Sequence, residues 1–337
     1  MPVSIVVGGQ YGSEGKGKVA HYLARKSKAT VAIRCGGTNS GHTVIDSNGQ
    51  ALIFRQLPTA AILSDVKLAL CAGTYIDPAI LKHEIALARL ASNRLMIDPY
   101  AVIITDDHKK RERDSGLVER IASTGSGTGA AVIDRIQRYS NPIFAKDVPE
   151  LAEFITDVSE DICWRLQRDE RIILEGTQGF GLSPLHSRMN PYVTSRDTTA
   201  AAFLSEAGLS PRDADEIILV IRAFPIRVGG DSGPLETEID WETVTKESGR
   251  REKIEEMTST SGTLRRVARF SHTVVTRAIL VNRPTHIVLN HLDYMPEHET
   301  SVAKFIAGVE DRVQSEIRYL GYGPETILDK RKIEEFP

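Results

Sequence analysis

Short β-branched apolar runs alternate with longer segments of helical pattern from the start of the chain. Residues 3–7 are a compact apolar run that ends at Gly8-Gly9, which predicts a buried strand. A glycine-rich loop follows, then a helix over 17–27 and a second strand over 31–35. This β–loop–α–β opening predicts a parallel sheet with helical crossovers. Further strands are expected at 52–54, 66–71, 101–105, 171–174, 217–223 and 285–289, and helices at 78–90, 149–166, 198–206 and 264–281. Pro78 and Pro149 stand where a first-turn proline is tolerated. The chain contains no repeat, long linker or single-sign charge run. The dense stretch 108–114 (HKKRERD) is mixed in sign and reads as a solvated loop or helix end. The expectation is one elaborated α/β domain over 1–337, with a mostly parallel central sheet flanked by helices.

Composition narrows the function classes. Forty-two Lys and Arg against 45 Asp and Glu leave a net charge of −3, so no overall basic field recruits nucleic acid. Three cysteines (Cys35, Cys71, Cys163) form neither a CxxC pair nor a metal-ligand spacing, and read as buried small hydrophobes in a reducing compartment. The N-terminal residues lack the pattern of a signal peptide, and no window of 18 residues is uniformly apolar. A cytoplasmic protein that contacts neither membrane nor nucleic acid directly is expected.

Two glycine-rich clusters carry the candidate chemistry. The first is Gly9-Gln10-Tyr11-Gly12-Ser13-Glu14-Gly15-Lys16-Gly17-Lys18. Gly12, Gly17 and Lys18 satisfy GxxxxGK, although Val19 replaces the usual Ser or Thr. Glycines let backbone N–H groups converge on phosphate oxygens, the next helix points its positive end at them, and two lysines add charge. Val19 offers no hydroxyl for Mg²⁺, so a metal needs another ligand. The second cluster is Cys35-Gly36-Gly37-Thr38-Asn39-Ser40-Gly41-His42-Thr43. It follows the second strand and is expected at the same sheet edge, where ligands of parallel sheets gather. Asn39 is both donor and acceptor, and His42 can serve as an acid near neutral pH.

These two runs resemble the adenylosuccinate synthetase family, and further matches follow in order: 123–129 (STGSGTG), 134–138, 175–179 (EGTQG), 191–195, 198–200, 227–229, 290–293 (NHLD) and 321–324 (GYGP). The resemblance implies a homodimer and a two-step ligation. A nucleotide γ-phosphate passes to the purine 6-oxygen, and the amine of L-aspartate then displaces it. It further implies that Gly12, Gly15, Lys16, Gly17, Lys18, Gly41, His42, Thr43, Arg265, His291, Leu292, Asp293, Gly321, Tyr322 and Gly323 meet the donor nucleotide. His42 would act as acid, Gln178 would stabilise the 6-oxyanion, and the Gly41 carbonyl would meet Mg²⁺. Asn39, Thr124, Thr194, Val228 and Gln178 would hold the acceptor nucleotide, with Arg138 reaching it from the other subunit. Ser259, Thr260, Ser261, Gly262 and Thr263, with Arg265, would form the aspartate-binding loop. Blander readings stay open: Thr194 as a helix cap, Arg138 as a surface ion pair, 258–263 as a polar linker.

Three departures shift the expected substrates. Ser13 stands where the family has an aspartate that takes the N1 proton of hypoxanthine and ligates Mg²⁺. A hydroxyl is no anionic base and is a weaker metal ligand, but it is smaller and can accept a hydrogen bond. That suits guanine, whose extra 2-amino group needs room and an acceptor. Thr263 replaces an arginine near the ribose hydroxyls, which fits a deoxyribose. Asn290-His291-Leu292-Asp293 lacks the lysine of the family's guanine-reading Lys-x-Asp, and Gly321-Tyr322 replaces a serine, which favours ATP or dATP over GTP. The short chain points the same way. The expectation is therefore the phage-type branch of the family, joining dGMP to L-aspartate with ATP or dATP and Mg²⁺, with Ser13 a catalytic-site residue and possible metal ligand. The rivals are IMP-and-GTP chemistry and a non-catalytic nucleotide-binding relative.

Overall fold

The computed structural model describes residues 2–138, 142–258, 262–296 and 299–332, apart from the side chains of 299 and 300. Nine strands form one sheet. From one edge to the other they are Thr326–Asp329, Tyr319–Tyr322, His286–Asn290, Ala214–Arg222, Val3–Gly8, Ile172–Glu175, Val31–Arg34, Lys67–Leu70 and Leu95–Ile97. Every neighbouring pair is parallel except Tyr319–Tyr322 with Thr326–Asp329. The first strand lies near the middle, and alternation splits its side chains. Val3, Ile5 and Val7 enter the core on one face, and Val6 enters the core on the other. Burial on both faces explains why these strands read as continuous apolar runs.

Several expected elements are corrected. The strand at 52–54 is real (Ala51–Phe54), but it pairs with His42–Ile45 in a separate antiparallel hairpin. The strand at 101–105 shrinks to Val102–Ile103, which pairs with Tyr75–Ile76 outside the main sheet and bridges to Phe144. The helix expected at 149–166 breaks into a 3₁₀ segment, Pro149–Phe154, and an α-helix, Val158–Leu166. Ile155 bridges to Ile97, and the Asp157 side chain caps the second piece at the Glu160 N–H. The helix expected at 264–281 begins only at His272. Arg266–Ala268 is the middle strand of a small antiparallel sheet, whose pairing overrides the local helical pattern. The helices Pro78–Leu87 and Ala200–Glu206 are shorter than expected, capped by Asp77 and Thr199. Leu95–Ile97, Tyr319–Tyr322 and Thr326–Asp329 went unseen, as did the helices Thr128–Gln137 and Glu299–Val313.

Cys163 is exposed, against expectation, whereas Cys35 and Cys71 are buried. The 108–114 stretch is mostly the helix Asp106–Asp114, and it is not wholly solvated. His108 and Glu112 lie four residues apart on its inner face. His108 Nε2 meets Asp134 at 3.0 Å, and Glu112 accepts from the Gly127 N–H and the Ser123 hydroxyl. A run with six charged side chains hides this inward stripe, because both inward residues are themselves polar. Among the described residues, no helix is long and apolar enough to cross a membrane.

Candidate active site

Gly8, Arg34, Glu175, Arg222 and Asn290 end adjacent parallel strands at the carboxyl edge of the sheet. The loop after Gly8 turns back over this edge and feeds the helix Lys16–Ser27. Its turns use left-handed backbone at Gly12 (φ 90°), Ser13 (φ 54°) and Gly15 (φ 88°). Only glycine fits at 15, since a Cβ there would come within 2.6 Å of Asn290 Nδ2. Gly17 is pinned by space instead: a Cβ would meet His42 Cβ and Thr59 Cγ2, both at 2.8 Å.

The loop's own side chains fold inward. The buried Glu14 carboxylate accepts from the Gln10 and Gly12 N–H groups and pairs with Lys16 Nζ at 2.6 Å. Lys16 is therefore a neutralised, buried cation in this state. Lys18 Nζ donates to the Gly323 carbonyl at 2.9 Å, and burial pulls its pKa down to about 8. Both lysines thus stand beneath the loop, and Lys18 ties it to the 321–324 turn.

His42 opens the hairpin strand and reaches back over the same edge. Its Nδ1 lies 2.5 Å from Glu175 Oε1. Glu175 also accepts from the Thr59 N–H and hydroxyl, with Arg34 Nη1 at 3.5 Å. Burial, followed by the Arg34 charge, holds the His42 imidazole down at about 4 despite the carboxylate. His42 is thus neutral at pH 7, with Nδ1–H donated to Glu175 and Nε2 left as its second polar edge.

Two abutting cavities open here. A smaller one of about 70 Å³ is walled by Ser13, Asn39, Gly41, His42, Gln178 and Arg265 among others. A larger one of about 130 Å³ shares Tyr11, Asn39, Thr124, Gln178, Leu182 and Val228 with it and adds Thr194 and Arg227. The structure therefore brings Ser13, Asn39, Gly41, His42, Thr124, Gln178, Thr194, Val228 and Arg265 together from distant parts of the chain. Thr194 caps no helix; its hydroxyl accepts from Asn39 Nδ2 at 3.3 Å. Arg138 does not line either cavity. It is exposed, ends the helix Thr128–Gln137 at φ 59°, and forms no ion pair among the described residues. On that helix Ile133 and Ile136 are 51% and 69% exposed.

The other residues expected to meet the donor nucleotide lie on the other flank of the loop. His291 sits at φ 61° before a short turn holding the buried Leu292. Asp293 has one buried oxygen, Oδ1, with no partner among the described residues, while Oδ2 lies 3.4 Å from Arg250. Gly321, Tyr322 and Gly323 lie on the adjacent strand and turn, and an open cleft of about 620 Å³ runs from Lys18 past Val44 and Ile45 to Pro324. Thr43 is exposed on the hairpin. Ser259, Thr260 and Ser261 lie outside the described residues. At the neck of that loop the Thr258 N–H donates to the Thr263 carbonyl at 2.8 Å, and the Gly262 N–H to the Thr258 carbonyl at 3.0 Å.

Burial, with Arg222 next, depresses the His291 pKa to about 3, against the attraction of Glu256. At pH 7 the imidazole is neutral in both folded and unfolded chains, so it adds nothing there. Between pH 6.5 and about 3 the unfolded chain binds a proton that the folded chain refuses, so stability falls as pH falls through that window. Thermal midpoints measured from pH 7.5 to 4 should decline on acidification, and less steeply in His291→Gln. Parallel declines would contradict this assignment.

Sequence reasoning left Glu175, Arg34, Arg222, Glu256 and Asn290 without roles. Arg34 and Arg222 carried a usable signal, since each is a charged residue closing an apolar run, 31–33 and 217–221.

A backbone loop shaped for anions, a buried carboxylate–imidazole pair and a nucleotide-scale set of cavities on one sheet edge define a nucleotide-using group-transfer enzyme. Comparison with known proteins supplies the family. The model of adenylosuccinate synthetase matches residues 5–143 and 143–303. Adenylosuccinate synthetases of Thermococcus onnurineus and Methanocaldococcus jannaschii are each 37% identical, covering 98% and 96% of this chain and 99% and 94% of their own lengths. The chain belongs to the adenylosuccinate synthetase family and is a C–N bond-forming ligase. The succinoaminodeoxyadenylate synthetase of cyanophage S-2L, solved with dGMP and dATP as an energy donor, superposes with a TM-score of 0.84 at 28% identity, covering 97% of this chain and 95% of that one. The adenylosuccinate synthetase of Plasmodium falciparum shares the fold, with a TM-score of 0.86 at 19% identity over 98% and 100% of the two chains. The archaeal relatives are as short as this chain, so length does not separate the phage-type branch from ordinary synthetases.

Proposed function

We propose that this ligase joins L-aspartate to C6 of dGMP with ATP or dATP as donor, giving N6-succino-2-amino-2′-deoxyadenylate, the nucleoside diphosphate and phosphate. The carrying observation is Ser13, which walls the 70 Å³ cavity together with Gln178 and Asn39. A hydroxyl there leaves room for the guanine 2-amino group and can accept from it. The surrounding lysines, glycines and His42 retain the family pattern, which argues against decay. The cyanophage enzyme's dGMP and dATP support the reading. The higher identity to archaeal adenylosuccinate synthetases favours a second one, in which IMP is the acceptor.

In the first step the purine 6-oxygen attacks the γ-phosphorus, the β–γ bridge breaks, and the ring gives up its N1 proton to water beside the Ser13 hydroxyl. In the second, the aspartate amine displaces phosphate from C6. Lys16, Lys18 and the loop amides of Gly15 and Gly17 neutralise and position the phosphates, the main demand of phosphoryl transfer. Once the arriving phosphates have raised its proton affinity, His42 donates from Nε2 to the transferring group, and Gln178 faces the developing 6-oxyanion. Asn39, Thr124, Thr194 and Val228 hold the acceptor, and Arg138 serves the active site of the partner in a homodimer. The exposed Ile133 and Ile136 beside it suit such an interface. The 258–263 loop and Arg265 take aspartate, and His291, Leu292, Asp293 and 321–323 take the donor base, with Asp293 Oδ1 free to accept from an adenine amino group.

Magnesium would neutralise phosphate charge. The chain offers it the Gly41 carbonyl and the Ser13 hydroxyl, and no group of three or more His, Cys, Asp or Glu suited to a metal exists among the described residues. That set fits an ion held largely by substrate phosphates and water, as Mg²⁺ commonly is. Phosphate release with aspartate, assayed for dGMP and IMP each with ATP and GTP, tests the proposal. Turnover with dGMP and ATP is expected; turnover with IMP alone refutes the acceptor, and none with any pair refutes a ligase.

A further inference from the structure

Arg222 and Asn290 are register partners at the ends of adjacent parallel strands, and both are 0% exposed. Each spends a side-chain N–H on the glycine-rich loop above. Arg222 Nη1 donates to the Ser13 carbonyl at 2.8 Å, and Asn290 Nδ2 donates to the Glu14 carbonyl at 2.7 Å. Two consecutive carbonyls are thus turned toward the sheet.

Trans peptide geometry fixes the consequence. A carbonyl and the next residue's N–H share one plane and point in opposite directions. The Glu14 N–H and the Gly15 N–H must therefore point away from the sheet. Neither has a hydrogen-bond partner among the described residues. Two outward N–H groups at the start of a helix form an anion cradle. We propose that Arg222 and Asn290 are positioning residues for phosphoryl transfer, holding the Ser13 and Glu14 carbonyls inward so that the following two N–H groups face the donor phosphates.

The surroundings agree. Arg222 brings a full charge under the loop, and Glu256 cancels it through both terminal guanidinium nitrogens, Nη1 and Nη2, steadied by the Tyr294 hydroxyl at 3.0 Å. The pair thus works as a neutral brace. Glu256 lies two residues before Thr258, and its own carbonyl accepts from the Arg265 N–H at 2.9 Å, so the brace also grips both ends of the 258–263 loop. Asn290 leaves no room for a side chain at 321, where a Cβ would overlap its Oδ1. The residues that frame the loop are therefore matched across three strands.

This inference rests on the reading that the loop holds a donor triphosphate. The test is binding of ADP and of a non-hydrolysable ATP analogue to Asn290→Ala, Arg222→Met and Arg222→Lys, alongside steady-state kinetics with whichever acceptor the parent uses. Asn290→Ala and Arg222→Met should each weaken analogue binding and raise the donor KM about tenfold. In Asn290→Ala the KM for the acceptor should stay within about twofold, since Asn290 holds the Glu14 carbonyl and not Ser13. Arg222→Lys, which keeps one donor, should recover part of the loss. If Arg222→Met does not fold, Asn290→Ala and Arg222→Lys decide. Folded variants with unchanged donor affinity, or an Asn290→Ala enzyme with all KM values raised together, overturn the proposal. Failure of the parent to bind either nucleotide instead overturns the reading of the loop, and activity with IMP in place of dGMP leaves the brace intact while refuting the acceptor.

Discussion

His42→Asn should lose turnover by about a hundredfold to ten-thousandfold, the range for removing a positioned acid or base, while nucleotide affinities change little. The geometry gives the reason. Glu175 sits 2.5 Å from Nδ1, and Thr59 and Arg34 fix that carboxylate in turn. The imidazole is thereby held in one tautomer and one orientation, with Nε2 as its working edge. Held neutral by burial, it would gain a proton on the arrival of phosphate charge, which in the proposed reaction ties acid function to donor binding. Glu175→Gln should keep the shape and lose the charge, giving a smaller fall of about tenfold to a hundredfold and a displaced pH–rate profile. Single-turnover assays with saturating nucleotides would check both. A His42→Asn enzyme with parental turnover removes His42 from the chemistry.

Ser13→Asp is expected to cost about a hundredfold or more in kcat/KM with dGMP, comparable to the penalty for misfitting one small group in a tight pocket. The cavity at this position is only about 70 Å³, and a carboxylate would occupy the space proposed for the 2-amino group. The substitution should not unfold the protein. Position 13 has φ 54°, which aspartate tolerates better than most residues, and Arg222 holds the backbone carbonyl rather than the side chain. Paired kcat/KM measurements with dGMP and IMP, before and after substitution, provide the check. Unchanged dGMP activity would detach acceptor choice from residue 13. Recovery of IMP turnover from an inert parent would mark the serine as a lesion.

The sheet was largely legible in the chain because its strands are buried on both faces, so they appear as uninterrupted apolar runs. Short edge strands such as Leu95–Ile97 and Thr326–Asp329 were not, since three or four residues carry little pattern. The Arg266–Ala268 strand was misread because neighbours from 226 and 238 create it, and those contacts leave no local trace. At the site, the glycine loops, His42 and Gln178 stood out through unusual residue types at tight spacing. The brace of Arg222, Asn290 and Glu256 did not. Its members are scattered over some seventy residues and gain meaning only from the register that sets strand ends side by side.

The position of the first strand has a cost during synthesis. Val3–Gly8 is synthesised well before its two sheet neighbours, which begin at Ile172 and Ala214, and the loop above it leans on Asn290. Local pairing cannot complete it, so this strongly apolar strand must wait unpaired until residues 172–220 have been made. Nascent chains halted before about residue 214 should therefore be the ones most in need of a chaperone, and ligand should have no purchase on them.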